Sequence, residues 1–246
     1  MIQRSNRKTR ARPATAGQHP SKAGAGDMRQ SLVEGATQLF AERGYVAASL
    51  RDLADMAGVT AAAVYYHFAK KEDLLREIIF EGLEELSRQV VGALAGEGTP
   101  EQRLEALIRA HLGYNVQRPR ESRIIIEDSR FLNPVDYATA REKQMTVLNA
   151  YRACIRQLVA SGRLRGVNPN LVAFGIISVI GGWYRWYRED GPVSKADAFE
   201  YMVDFALAGA LQRTSETQGK PDLPLSGATA SSTRRTASGG SRSGMR

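Results

Sequence analysis

From about residue 28 to residue 211, apolar side chains recur at helical spacing along nearly every segment of the chain. The stretch MRQSLVEGATQLFAER, Met28 to Arg43, places Leu32, Ala36, Leu39 and Phe40 on one face. Gly44 follows where a left-handed residue commonly ends a helix. Ser49 to Asp52 has the spacing of a capping box, and the helix it opens points Leu53, Ala54 and Ala57 inward. Further starts are marked by Thr99-Pro100 with Gln102, by Asn133-Pro134, by Asn168-Pro169, and by Ser194 with Asp197. No stretch alternates with period two between turn residues. The pattern predicts an all-α chain of roughly nine helices.

One short segment departs from the ordinary amphipathic pattern: AGVTAAAVYYHFAKKEDLL, Ala57 to Leu75. It reads as a helix end, a tight turn at Gly58, and a second short helix capped by Thr60. Val64, Phe68 and the ring of Tyr65 can anchor that helix to Leu39, Phe40 and Leu53. Ala61, Ala62 and Ala63 leave its N-terminal surface smooth, as suits close approach to a major groove. Tyr66, His67 and Lys71 lie at the far end, where phosphates would run. The plainer alternative is an ordinary helical hairpin with half-buried Tyr and His.

Charge sharpens the domain picture. The formal charge is +8, but residues 1–26 carry +6 and residues 213–246 carry +4, which leaves 22 basic against 24 acidic residues between them. Both ends are rich in Ser, Thr, Gly, Ala, Pro and Arg, and each is expected to be disordered because it cannot bury enough to offset its ordering entropy. The longest uncharged apolar run, Leu171 to Tyr184, is shorter than the roughly 20 residues of a membrane span. With the single Cys154, which reads as a small buried hydrophobe, this points to a cytoplasmic chain.

The chain resembles the TetR-type bacterial transcriptional repressors through LFAERGY, SLRDLA, AGVT, VYYHF and KKEDLL, in order and at the family's spacing, over Met28 to Glu77. The resemblance implies a helix-turn-helix head over residues 27–75 and an effector-binding, dimerising domain over residues 76–212. It places Arg51 within reach of a base, and Ala61, Ala62 and Tyr65 on the groove side. Ser49, Tyr66, His67 and Lys71 fall at phosphate-contacting positions, with Lys70 as a second cation beside them. The family usually has Ser, Asn or Gly where this chain has Lys70, so a helix cap worth about 1 kcal/mol is missing. The basic N-terminal arm either follows the DNA or is a dispensable extension.

Downstream, no nucleophile elbow, phosphate loop, metal-binding HExxH or cysteine pair is present, so an enzyme is not expected, nor a metal or cofactor. The run NPNLVAFGIISVIGGWYRWYREDG ends in Trp183, Tyr184, Trp186 and Tyr187 interleaved with Arg185 and Arg188. It is similar to an acyl-CoA-responsive branch of the same family, although Gly182 replaces the first Trp of the W-x-Y-R-W-Y pattern. A CoA thioester is the expected effector: Arg185 and Arg188 for phosphates, Trp183 or Trp186 against adenine. His111, Tyr114, Phe131, Tyr137, Met145 and Phe174 are candidates for an acyl tunnel, or else for the core. The resemblance further implies a homodimer through the last two long helices, released from a palindromic operator. Two alternatives stay open: a multidrug-type sensor of the same fold, with Glu127 and Asp128 as its acids, and a helical interaction module that does not bind DNA.

Overall fold

The computed structural model describes residues 22–211, and the expectations for the outer arm and for the tail from residue 212 lie outside the described residues. Among the described residues there is no strand, and nine helices have seven residues or more. The all-α expectation holds.

The first helix, α1 (Lys22–Arg43), begins inside the segment expected to be disordered. Residues 22–26 extend it by a turn despite Gly24 and Gly26, since adding residues to a formed helix needs no new nucleus. It ends at Gly44, whose φ of 80° is the left-handed conformation glycine supplies. Ser49 then caps α2 (Leu50–Ala57): its hydroxyl accepts from Asp52 N at 3.1 Å, and Asp52 accepts from Ser49 N at 2.9 Å. Gly58, at φ 66°, turns the chain into α3 (Ala61–His67), which Thr60 caps through Ala63 N at 3.2 Å. Leu32, Leu39, Phe40, Leu53, Val64 and Phe68 are buried in one cluster, each contributing about 1.5–3 kcal/mol of hydrophobic burial. Ala57 is exposed rather than inward, because the chain turns away at Gly58 before anything covers it.

The second body begins with α4 (Lys71–Gly92), which packs on α1 and on the three helices that follow, α5 (Pro100–Gln117), α6 (Pro119–Glu127) and α7 (Pro134–Ala160). Then come α8 (Pro169–Gly181), the single turn α9 (Trp183–Trp186) and α10 (Lys195–Leu211), with α10 packed on α5 and α8. The four expected caps all form, at Thr99, Asn133, Asn168 and Ser194. Inside the body, Asn115 donates to Ile180 O at 3.1 Å and accepts from Ser122 Oγ at 2.9 Å, which locks α5, α6 and α8 together. Arg109 forks onto Glu200 at 2.9 and 2.7 Å, joining α5 to α10. No helix among the described residues is long and apolar enough to cross a membrane.

Candidate nucleic-acid interface

The outer end of the head is built by α3 and the turn before it. Val64 is the buried anchor of α3, so the neighbouring positions on the other side face out. Ala62 is exposed, Ala61 half-buried, and Tyr66 stands 82% exposed with its ring edge-on to His67 at 5.1 Å. Tyr65 is 52% exposed, so its expected packing role is not what it does: Val64 and Phe68 suffice to seat the helix, and the phenol is left outside. Thr60, Ser49, Arg51 and Lys70 are exposed on the same two short helices and their flanks. The head therefore offers a small-residue surface edged by hydroxyls and cations, as a duplex groove and its phosphates require.

Lys71 departs from the expectation of a free phosphate contact. Its ammonium donates to three backbone carbonyls of the loop before α2: Tyr45 at 2.6 Å, Val46 at 3.2 Å and Ala48 at 2.8 Å. It also lies 4.4 Å from the centre of the Tyr45 ring, and its burial lowers its pKa from the ordinary lysine value. A lysine has three N–H donors, and all are in use. This side chain is a clip that fixes the loop to α4. Lys70 supplies no side-chain cap, but its backbone N–H donates to Asp73 Oδ2 at 3.2 Å, which restores half of the missing capping box.

The head is joined to the body by a second layer of contacts. Tyr45 stacks on Phe131 at 5.2 Å and meets Phe40 edge-on at 5.3 Å, so Phe131 sits at the junction and not in a tunnel. Glu72 accepts from Asn133 N at 2.8 Å, and hydrogen bonding from Asn133 holds its carboxyl below the usual range. Arg123 donates to Ala41 O at the end of α1 and to Glu127 Oε2 at 3.1 Å. Glu127 in turn accepts from Tyr184 Oη at 2.9 Å and from Arg185 at 3.4 Å. Asp128 is buried, and its Oδ2 has no hydrogen-bond partner.

The other ligand candidates are not brought together. His111 is buried beside Tyr151, with Nδ1 3.4 Å from the Tyr151 hydroxyl, and burial pushes its pKa down to about 4, so it is a neutral core group. Tyr114 is buried against α4, with its hydroxyl unpartnered. Trp183 is also buried, stacked on Tyr187 at 4.4 Å, and so is not available to an adenine; Trp186 is half exposed. Tyr137 and Met145 lie apart on the partly exposed side of α7. Phe174 is 50% exposed on α8, beside Leu171, because that face of the helix is the one the body leaves uncovered. Tyr201 and Phe205 of α10 are exposed likewise, their rings stacked 6.4 Å apart. Arg188 is exposed and bonds back to the carbonyls of Arg185 and Tyr187. Arg185, without Arg188, lines a shallow cavity of about 520 Å³ together with Arg120, Arg123, Tyr184 and the carboxylates of Glu42 and Glu127.

The comparisons with known proteins follow this division of the chain. Residues 32–78 match the bacterial regulatory proteins of the tetR family, and residues 97–210 match the tetracyclin repressor-like C-terminal domain. The transcriptional regulator BetI of Rhizobium meliloti is 35% identical over 185 residues, covering 73% of this chain and 88% of that one. The transcriptional activator FasR of Mycolicibacterium smegmatis is 27% identical over 208 residues, covering 82% of this chain and 92% of that one. Among solved structures, AibR in complex with isovaleryl coenzyme A and operator DNA is 25% identical with a TM-score of 0.67, covering 75% of this chain and 98% of that one. Helix for helix and match for match, the chain belongs to the tetR family, as a DNA-binding transcriptional regulator and not an enzyme.

Proposed function

We propose that the chain acts as a homodimer that grips a palindromic operator through two α3 tips and lets go when an acyl-CoA thioester binds. The observation that carries the DNA half is the exposed Ala62–Tyr65–Tyr66 surface held out by a buried Val64. In this reading Arg51, Ala61, Ala62 and Tyr65 face the groove, while Ser49, Thr60, Tyr66, His67 and Lys70 meet phosphates. The effector half is supported by the cavity beside the aromatic turn α9, where Arg120, Arg123 and Arg185 outnumber Glu42 and Glu127, and by AibR, whose complex holds isovaleryl coenzyme A. An anion of that kind suits clustered guanidinium groups. It releases DNA only if it binds the DNA-incompetent arrangement of the heads more tightly.

Footprinting the region upstream of its own gene with the purified chain is expected to show a protected palindrome. Tyr66→Ala should weaken that binding with its salt dependence unchanged, because the side chain carries no charge, while leaving folding stability within about 0.5 kcal/mol, since the side chain is exposed. Titrating CoA thioesters of different acyl chains into the complex tests the effector. Displacement by none of them would end the acyl-CoA reading and leave the DNA reading intact. The similarity to FasR, an activator, makes the direction of control a matter for the same assay on transcription.

A further inference from the structure

The outward side of α3 is chemically plain. The helix is seated by Val64 and Phe68, four residues apart and both buried. Ala61, Ala62 and Tyr65, related by three and four residues, share the flank beside that seat, with Ala62 exposed and Tyr65 52% exposed. This flank presents two methyl groups and a phenol ring, with its one polar side-chain atom at the ring's far end.

Recognition of a guanine or adenine edge through two hydrogen bonds takes an Arg, Lys, Asn or Gln side chain. From Ser49 to His67 the chain has no Asn, Gln or Lys, and its one Arg is Arg51, on α2. The other cations of the head are engaged: Arg29 pairs with Glu77, Arg43 with Asp52 at 3.3 Å and Lys70 with Glu72 at 3.5 Å, while Lys71 holds its three carbonyls. Among the described residues Arg51 is exposed, with neither an ion pair nor a side-chain hydrogen bond. Paired hydrogen bonds to a base can therefore come from α2, at one point, and not from α3.

The recognition helix has another route to sequence. In the major groove thymine alone among the four bases presents a methyl group, and an apolar side chain gains by covering it. Alanine methyls suit this contact, because nothing longer holds the helix off the groove floor. We propose that α3 selects its half-site through thymine methyl groups packed on Ala61, Ala62 and the Tyr65 ring, with Arg51 supplying the single paired hydrogen-bond contact beside them. This rests on the DNA-binding reading above and adds to it the class of sequence recognised: half-sites with thymine under α3, discriminated by burial and not by a hydrogen-bond code.

The test starts from random duplexes selected by the full chain. The enriched palindrome is then remade with uracil for thymine at one symmetric pair of positions at a time. Uracil pairs as thymine does and lacks only the methyl group, so the exchange isolates it. At one or more of these pairs, affinity read by fluorescence anisotropy should fall about tenfold, a factor of about three to four for each buried methyl. In Ala61→Gly or Ala62→Gly, each checked for folding by circular dichroism, the thymine-to-uracil ratio at that pair should drop below about threefold. Affinity within twofold for every uracil duplex, or a ratio unchanged in both glycine variants, overturns the proposal and leaves the DNA reading in place. Enrichment of no sequence at all would bring down the DNA reading itself, and this inference with it.

Discussion

Lys71 shows how one side chain can be claimed by two roles that leave different traces. As a phosphate ligand it would contribute mainly to DNA affinity; as a clip on the carbonyls of Tyr45, Val46 and Ala48 it contributes to the fold of the head. The geometry favours the clip, and Lys71→Met should then lower the unfolding free energy by about 1.5–3 kcal/mol, the range for hydrogen bonds to a charged group. Chemical denaturation without DNA measures this; an unchanged midpoint would return the residue to the phosphates. Asp128 makes the opposite kind of statement. Burial raises its pKa above the ordinary aspartate value, so between that value, about pH 4, and its folded pKa the native state holds the extra proton. Stability from this group therefore falls as pH rises through the window and stays low above it. Asp128→Asn is expected to be more stable than the unaltered chain at pH 7, with the difference shrinking toward pH 4, as parallel melts at several pH values would show. Neither role was legible in the sequence. The spacing KKEDLL says that a cation opens α4, but not that a loop 23 to 26 residues upstream curls its carbonyls around that cation.

At the scale of elements, what the sequence announces is what is decided locally. Ser49, Thr60, Thr99, Asn133 and Asn168 cap helices because a hydroxyl or amide two or three residues before a free N–H has few other things to do. Helix α6 goes unannounced, since Arg118 brings no capping side chain and only Pro119 marks the start. The aromatic candidates scatter for a related reason: residue type does not reveal which element covers it. Phe131 meets Tyr45 across the junction, Trp183 folds back on Tyr187, and Phe174 stays half exposed with only the Arg152 guanidinium of α7 over its ring. Gly82 was equally silent, yet it decides how closely α4, α5 and α6 approach. Replacing a helix-interior glycine by alanine ordinarily stabilises by up to about 1 kcal/mol. Here the new methyl would lie 2.8 Å from both Ile125 Cδ1 and Tyr114 Oη. Overpacking of that kind costs about 1–3 kcal/mol, so Gly82→Ala should destabilise on balance. Adding Tyr114→Phe should recover part of the loss, and a double-mutant cycle on thermal melts would measure how much.

For the whole molecule, the decisive surface is the one the subunit leaves bare. Leu171 and Phe174 on α8 and Tyr201 and Phe205 on α10 are each half or more exposed, on two helices that pack against each other. An apolar face of that kind, continuous over two adjacent helices, is what a second copy covers when four helices close into a bundle. In the proposed function, one α3 tip would contact one half-site, and two tips at a fixed spacing would read a palindrome. A charge placed at the centre of the face should separate the copies, because a carboxylate there would be buried without a partner. Phe205→Glu is therefore expected to shift the chain from dimer to monomer in sedimentation velocity, with its helical content unchanged because the position faces away from the core. Operator affinity should fall far more than for any single head substitution, since half of the contacts are lost at once. The head itself is untouched by the change, so residual weak binding to a single half-site should survive with the same sensitivity to Tyr66→Ala. A Phe205→Glu chain that stayed dimeric and bound the palindrome normally would move the interface elsewhere, and with it the lever by which any effector spaces the heads.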